Sequence, residues 1–160
     1  SDLAQLAMQL GACLEAAGWR LTAAESCTGG WIAKCLTDIA GSSRWFECGF
    51  VTYSNAAKQA LLGVEEATLS TEGAVSEAVV REMALGALSR SRAEVAVAVS
   101  GIAGPGGGTM TKPVGTVCFG FALAERVDTE TVRFDGDRAA VRQASVAHAL
   151  QGLIRRCSGG

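Results

Sequence analysis

The sequence predicts an α/β protein, a three-layer α/β/α sandwich built on a mixed, mostly parallel sheet. Three observations carry that reading. Segments with apolar residues at helical spacing alternate with short runs of β-branched and small apolar residues. Two β-rich runs, 114–124 and 127–134, flank Glu125-Arg126 as a hairpin would and add antiparallel pairing. A glycine-rich segment, 101–108, directly follows a run of alternating valine and alanine, the place where open α/β sheets carry their ligand loops.

Residues 3–17 put Leu3, Leu6, Ala7, Leu10 and Leu14 on one helical face, and Gly18 ends that helix. Residues 21–25 form a short strand entering the interior. Ser26-Cys27-Thr28-Gly29-Gly30 turns into a second helix carrying Trp31, Ile32, Cys35, Leu36 and Ile39, which Gly41-Ser42-Ser43 breaks. Residues 46–53 mix aromatic and β-branched side chains as a strand does. Asn55 is placed to cap a helix to Leu62, closed by Gly63, and Ser76 to cap a longer one to about Leu88. Residues 94–100 read as a buried strand. After the loop and the hairpin, Asp137 caps a last helix to about Ile154. The 160 residues make a single domain, 1–160, with a loose tail at about 156–160.

Composition excludes several classes of function. Hydrophobic residues make up 49% of the chain and charged residues 19%, enough to build a core and too apolar for intrinsic disorder. No apolar run approaches the ~18 residues of a membrane-spanning helix, so no membrane partner is expected. Net charge is −2, with no basic excess to meet a nucleic-acid backbone. The six cysteines include no C-x-x-C pair and there is one histidine, His148, so neither a metal site nor a cofactor is expected. Several cysteines lie in apolar stretches, as buried free thiols do, which points to a reducing cytoplasm. The expected assembly is a homo-oligomer.

Four segments have the residue types that carry chemistry. In Ala24-Glu25-Ser26-Cys27-Thr28-Gly29-Gly30 a strand turns into a helix start, where amide N–H groups lack partners within the helix and the helix dipole favours negative charge. Gly29 and Gly30 let a ligand approach the backbone. Read locally, Ser26 or Thr28 is a helix cap; as a nucleophile, Ser26 competes with Cys27, and spacing does not separate them. In Thr52-Tyr53-Ser54-Asn55-Ala56-Ala57-Lys58, Tyr53 is the only tyrosine and Lys58 one of three lysines, beside eleven arginines. With Asn55 as cap, Lys58 is the third helical residue. The helix dipole lowers its pKa there, but burial must supply most of any shift toward a neutral amine. The alternative is an ordinary exposed lysine. The 101–108 loop matches neither G-x-x-x-x-G-K-[ST] nor G-x-G-x-x-G, yet its five glycines in eight residues favour a binding loop, in which successive N–H groups hold an anion. Arg138 and Arg142 share one face of the last helix, either to hold a phosphate or as a solvated face.

Taken together and in order, Ala24-Glu25-Ser26-Cys27-Thr28-Gly29-Gly30, Gly49-Phe50-Val51-Thr52-Tyr53-Ser54-Asn55, Gly73-Ala74-Val75-Ser76, Ser100-Gly101-Ile102-Ala103-Gly104-Pro105-Gly106-Gly107 and Lys112-Pro113-Val114-Gly115-Thr116-Val117 strongly resemble the CinA C-terminal domain family, which includes stand-alone nicotinamide mononucleotide deamidases. The resemblance spans nearly the whole chain. It implies a three-layer sandwich and hydrolysis of nicotinamide mononucleotide, a small-molecule substrate, to nicotinate mononucleotide and ammonia in pyridine nucleotide recycling. Carried over by motif, Ser26 is the nucleophile, assisted by Lys58 and Tyr53. Tyr53 would hold Lys58 or relay a proton to the leaving ammonia. Substrate-binding residues would be Cys27, Thr28, Gly29, Gly30, Ser100 and Gly101, with Arg138 or Arg142 on the phosphate. The rival readings are a non-catalytic nucleotide-binding module connected with competence and an amidase of other small amides. Convergence of Ser26, Lys58 and Tyr53 separates the binding module from the enzyme.

Overall fold

The computed structural model describes residues 2–159. Its elements are α1 (Leu3–Ala17), β1 (Leu21–Glu25), α2 (Trp31–Thr37), β2 (Phe46–Val51), α3 (Asn55–Leu62), α4 (Glu66–Glu72), α5 (Glu77–Ser89), β3 (Val95–Gly101), β4 (Thr116–Leu123), β5 (Arg126–Arg133) and α6 (Arg138–Cys157). The five strands form one sheet in the order β2-β1-β3-β4-β5. β1 pairs in parallel with β2 and with β3, whereas β3–β4 and β4–β5 are antiparallel. The sheet is therefore mixed as expected, with its pairings divided evenly between the two kinds rather than mostly parallel. The hairpin that creates the second kind turns at Ala124, which takes φ +56 where glycine or asparagine is the usual choice.

Alternation along the strands sorts the core into two layers. Val95, Val97 and Val99 face α1, α2 and α6, together with Leu21, Ala23, Phe119 and Phe121. Ala96, Ala98, Cys118 and Ala122 face α5, α3 and α4. Leu10, Leu14 and Leu153 are fully buried on the first face, each contributing about 2 kcal/mol by removal from water. The second face is lined by small residues, and α5 packs correspondingly close. A Cβ on Gly120 would stand 2.6 Å from the Val80 carbonyl oxygen, and one on Gly86 only 1.9 Å from that of Leu62.

Helix ends follow their local chemistry. Asp2, Ser54, Ser76 and Asp137 each accept a bond from an amide N–H in the first helical turn, and Gly18 and Gly63 close α1 and α3 in the left-handed region. Four details differ from the sequence reading. The cap of α3 is Ser54 rather than Asn55, because its hydroxyl reaches the Ala57 N–H at 3.0 Å, so Lys58 is the fourth helical residue. α2 stops at Thr37, short of Ile39. α4 had no apolar stripe to announce it; Leu69 is its one buried side chain. α6 continues to Cys157, so residues 156 and 157 are helix rather than tail. Its apolar face persists through Leu153 and Cys157, and Arg156 is held over the Phe121 ring at 4.0 Å and against Asp128 at 2.9 Å. Among the described residues no helix is long and apolar enough to cross a membrane.

The Gly86 contact yields a direct expectation. Gly86→Ala drives a methyl into backbone rather than into a movable side chain, and should lower unfolding free energy by about 2–3 kcal/mol in urea titration.

Candidate active site

Two segments meet just beyond the carboxyl ends of the parallel strands. The Ser26 N–H donates to the Val99 carbonyl at 3.0 Å, which extends the β1–β3 pairing by one residue. The Thr52 N–H donates to the Glu25 carbonyl at 2.9 Å and extends β1–β2 in the same way. Ser26 and the residues leading into α3 are thus fixed side by side at the strand ends. Lys58, one turn into α3, reaches back, and its Nζ lies 2.9 Å from Ser26 Oγ, 2.9 Å from the Thr52 carbonyl oxygen and 3.3 Å from that of Tyr53.

Lys58 is 1% exposed and makes no ion pair among the described residues. Burial pushes its pKa below the ordinary lysine value of 10.5. A neutral amine has two N–H groups and one lone pair. Nζ is placed to donate to all three oxygens; in the neutral form that burial favours, the two carbonyls suffice for the N–H groups, and the lone pair is then available to the Ser26 hydroxyl. Cys27, the alternative nucleophile, goes the other way. Burial raises its thiol pKa to about 11, so it stays protonated at neutral pH. The linkage sign for Lys58 follows from its lowered value. Between that value and 10.5 the unfolded chain holds a proton that the folded chain lacks, so this group's contribution to stability falls as pH falls through that window.

The pair lies in a cleft of about 260 Å³ whose walls include Ser26, Cys27, Tyr53, Asn55, Lys58, Ser100, Gly101 and Arg138. The other wall is the glycine-rich loop, through Gly106 and Gly107, and the segment Ala74-Val75, which the Ser100 hydroxyl holds by donating to the Ala74 carbonyl at 2.9 Å. Among the described residues no carboxylate lines the cleft. Arg138 donates to the Gly104 carbonyl at 2.8 Å and to the Tyr53 hydroxyl oxygen at 3.0 Å. Ser26 and Lys58 therefore converge, while Tyr53 meets Lys58 only through its backbone carbonyl; its hydroxyl is turned to Arg138.

Thr28, Gly29, Gly30 and Arg142 are not brought into this cleft. They surround a separate depression with Trp31 and Lys34. Arg142 donates to the carbonyls of Cys27 at 3.0 Å and Thr28 at 3.3 Å and stands 5.8 Å from the Trp31 ring centroid. It braces the turn that carries Ser26.

The residue that sequence reasoning missed is Glu25. It is 1% exposed, and Oε1 accepts from the Thr28 hydroxyl at 2.6 Å, the Gly30 N–H at 3.2 Å and the Ile32 N–H at 2.9 Å. Oε2 accepts from the Ala33 N–H at 3.0 Å. The start of α2 is satisfied by this carboxylate, so those amides are not free to meet a developing negative charge, as the sequence reading had them. Among the described residues the Cys27 N–H, by contrast, has no acceptor on another residue, and Cys27 lines the cleft. An acid immediately before a turn into a helix was the available signal for Glu25. Asn55, read as a cap, is released from that role by Ser54 and lines the cleft instead.

A profile of the CinA C-terminal domain family matches residues 3–157. The chain belongs to that family. It is 60% identical over 154 residues to the nicotinamide-nucleotide amidohydrolase PncC of Escherichia coli K12, covering 96% of this chain and 93% of the relative. The corresponding protein of Enterobacter agglomerans is 61% identical over 154 residues, covering 96% and 94%. Among solved structures, a CinA superfamily protein from Klebsiella pneumoniae superposes with a TM-score of 0.96 at 39% identity, over all of both chains. The three-layer mixed-sheet architecture is thus that of the CinA domain.

Glu25 gives an expectation of its own. Glu25→Ala strips acceptors from three amide N–H groups and one buried hydroxyl, and should destabilise the protein by about 3 kcal/mol or more, read as a lowered midpoint in denaturant.

Proposed function

We propose that this chain hydrolyses the carboxamide of nicotinamide mononucleotide to nicotinate mononucleotide and ammonia, with Ser26 as nucleophile and Lys58 as its base, in the recycling of pyridine nucleotides. The observation that carries the reading is the 2.9 Å contact between a buried, unpaired amine and the Ser26 hydroxyl. A module that only binds a nucleotide has no use for an amine whose charge is suppressed next to a hydroxyl. The substrate assignment is supported by the amidohydrolases to which the chain is about 60% identical. It is supported also by the cleft's charge, with Arg138 and no carboxylate on its walls, which suits an anionic substrate.

The residues sustain a complete acyl transfer. Neutral Lys58 accepts the Ser26 proton as Oγ attacks the carboxamide carbon. The carbonyl oxygen becomes an oxyanion and is met by the Cys27 N–H and by amides of the loop between Gly101 and Gly107. Lys58 returns the proton to the amide nitrogen as the C–N bond breaks and ammonia leaves. Water, deprotonated by Lys58, then attacks the acyl-serine ester, and Ser26 recovers its proton. The Arg138 guanidinium is the group for the nucleotide phosphate. The six cysteines, all unpaired, fit a reducing cytoplasm.

An ammonia-release assay with nicotinamide mononucleotide tests the reading directly. Ser26→Ala should lose at least about a thousandfold in kcat with an unchanged circular dichroism spectrum, whereas Cys27→Ala keeps most of the activity. Retained turnover in folded Ser26→Ala would remove the assignment.

The pH profile reports on Lys58. The amine is competent only when deprotonated, so kcat should rise with pH through a single group titrating below 10.5. Lys58→Arg, always charged, should be nearly inactive at every pH. An active Lys58→Arg enzyme excludes the general-base role.

A further inference from the structure

We propose that the substrate's phosphate acts on turnover as well as on affinity, by drawing the Arg138 guanidinium off the Tyr53 hydroxyl and so releasing that hydroxyl into the cleft. The inference rests on the amidohydrolase reading above.

Arg138 is the first residue of α6 and joins two cleft walls that no other side chain bridges: the loop at Gly104, 2.8 Å away, and the Tyr53 phenol, 3.0 Å away. Both of its partners are neutral acceptors. Among the described residues Arg138 pairs with no carboxylate, and the acid beside it, Asp137, is committed to capping the Ala140 N–H at 2.9 Å. In each of these bonds only the guanidinium carries charge. A phosphate dianion adds the opposite charge and a bidentate geometry, and so competes with both neutral acceptors for the guanidinium.

Tyr53 is arranged to respond. Its side chain is 62% exposed, so little packing resists rotation about χ1, and its hydroxyl has Arg138 as its one hydrogen-bond partner. Its main chain is already fixed at the reacting pair, because the Tyr53 carbonyl accepts from Lys58 Nζ at 3.3 Å. While Arg138 holds the phenol, the only hydroxyl on the Lys58 amine is that of Ser26. Once phosphate takes the guanidinium, the phenol is free to face the amine and the leaving nitrogen. The phenol O–H then serves as a further donor at the reacting pair. Arg138 is in this scheme a positioning residue for Tyr53, acting through its exchange of partners.

The experiment takes the substrate in two pieces. Nicotinamide riboside, which lacks the phosphate, is offered with and without phosphite dianion as the missing piece, and nicotinamide mononucleotide serves as the intact control. The riboside alone should show kcat reduced by about a hundredfold, beyond any rise in KM, and phosphite should restore about tenfold or more of it saturably. Arg138→Met should abolish the phosphite effect. Tyr53→Phe should lower kcat for the nucleotide and leave the riboside rate unresponsive to phosphite. Because Tyr53 is the only tyrosine, ring-labelled tyrosine gives a single NMR resonance, which phosphite should shift in the wild type and not in Arg138→Met. A riboside kcat equal to that of the nucleotide overturns the proposal, as does phosphite inert in the wild type or equally active in Arg138→Met. Nucleotide turnover together with inert phosphite removes this coupling alone; no ammonia from the nucleotide removes the functional reading as well.

Discussion

A primary amine taken out of water without an anion beside it holds its proton less firmly, and among the described residues Lys58 has no ion-pair partner. That constraint organises the molecule's working end. Two carbonyls at the close of β2 take the amine's hydrogens, and Ser26 supplies the third contact. The neutral form costs less to bury than the ammonium, so burial lowers the pKa of the amine that lies against Ser26. Cys27 shows the converse effect of the same burial, which raises its thiol pKa to about 11.

The contact between Lys58 and Ser26 lasts only if the serine is held in place. The turn after β1 is fixed from both sides. Glu25 anchors the start of α2 beneath it, and Arg142 grips the Cys27 and Thr28 carbonyls from α6. Glu25 is a buried carboxylate, yet its oxygens are filled by backbone and hydroxyl donors rather than by a cation, so it adds rigidity without a second charge in the cleft. α6, nearly at the end of the chain, thereby completes a turn near its beginning.

Elements with a strong local signal were legible in the sequence. The strand β3 declared itself through alternating valine and alanine, the close of α1 through Gly18, and the starts of α5 and α6 through the caps Ser76 and Asp137. α4 was not, because a seven-residue helix burying one leucine has no periodicity to read. For the candidate site, residue types at a strand–turn–helix junction marked Ser26 but left Cys27 as an equal, and only resemblance to the CinA family chose between them; the burial that separates the two thiol and hydroxyl chemistries is a tertiary property. The division of labour between Arg138 and Arg142 was invisible for a related reason. Four residues apart they share a helix face, yet one reaches the cleft and the other is spent on the turn beside it. Glu25 was overlooked because a carboxylate's partners here are backbone N–H groups, which every sequence contains.

The reversal of strand direction at β3 has a consequence for how such a domain diversifies. β4 runs back beside β3, so the intervening chain, from Gly101 to Thr116, leaves and re-enters the sheet at adjacent positions. The wall that it forms can be lengthened, shortened or re-sequenced without shifting either end, because both ends are pinned by neighbouring strands. Ser26 and Lys58 are carried by β1, β2 and α3, outside that excursion. This wall and the Ser26–Lys58 pair therefore lie in separate stretches of the chain, so the loop can change while the strand ends that hold the pair stay as they are.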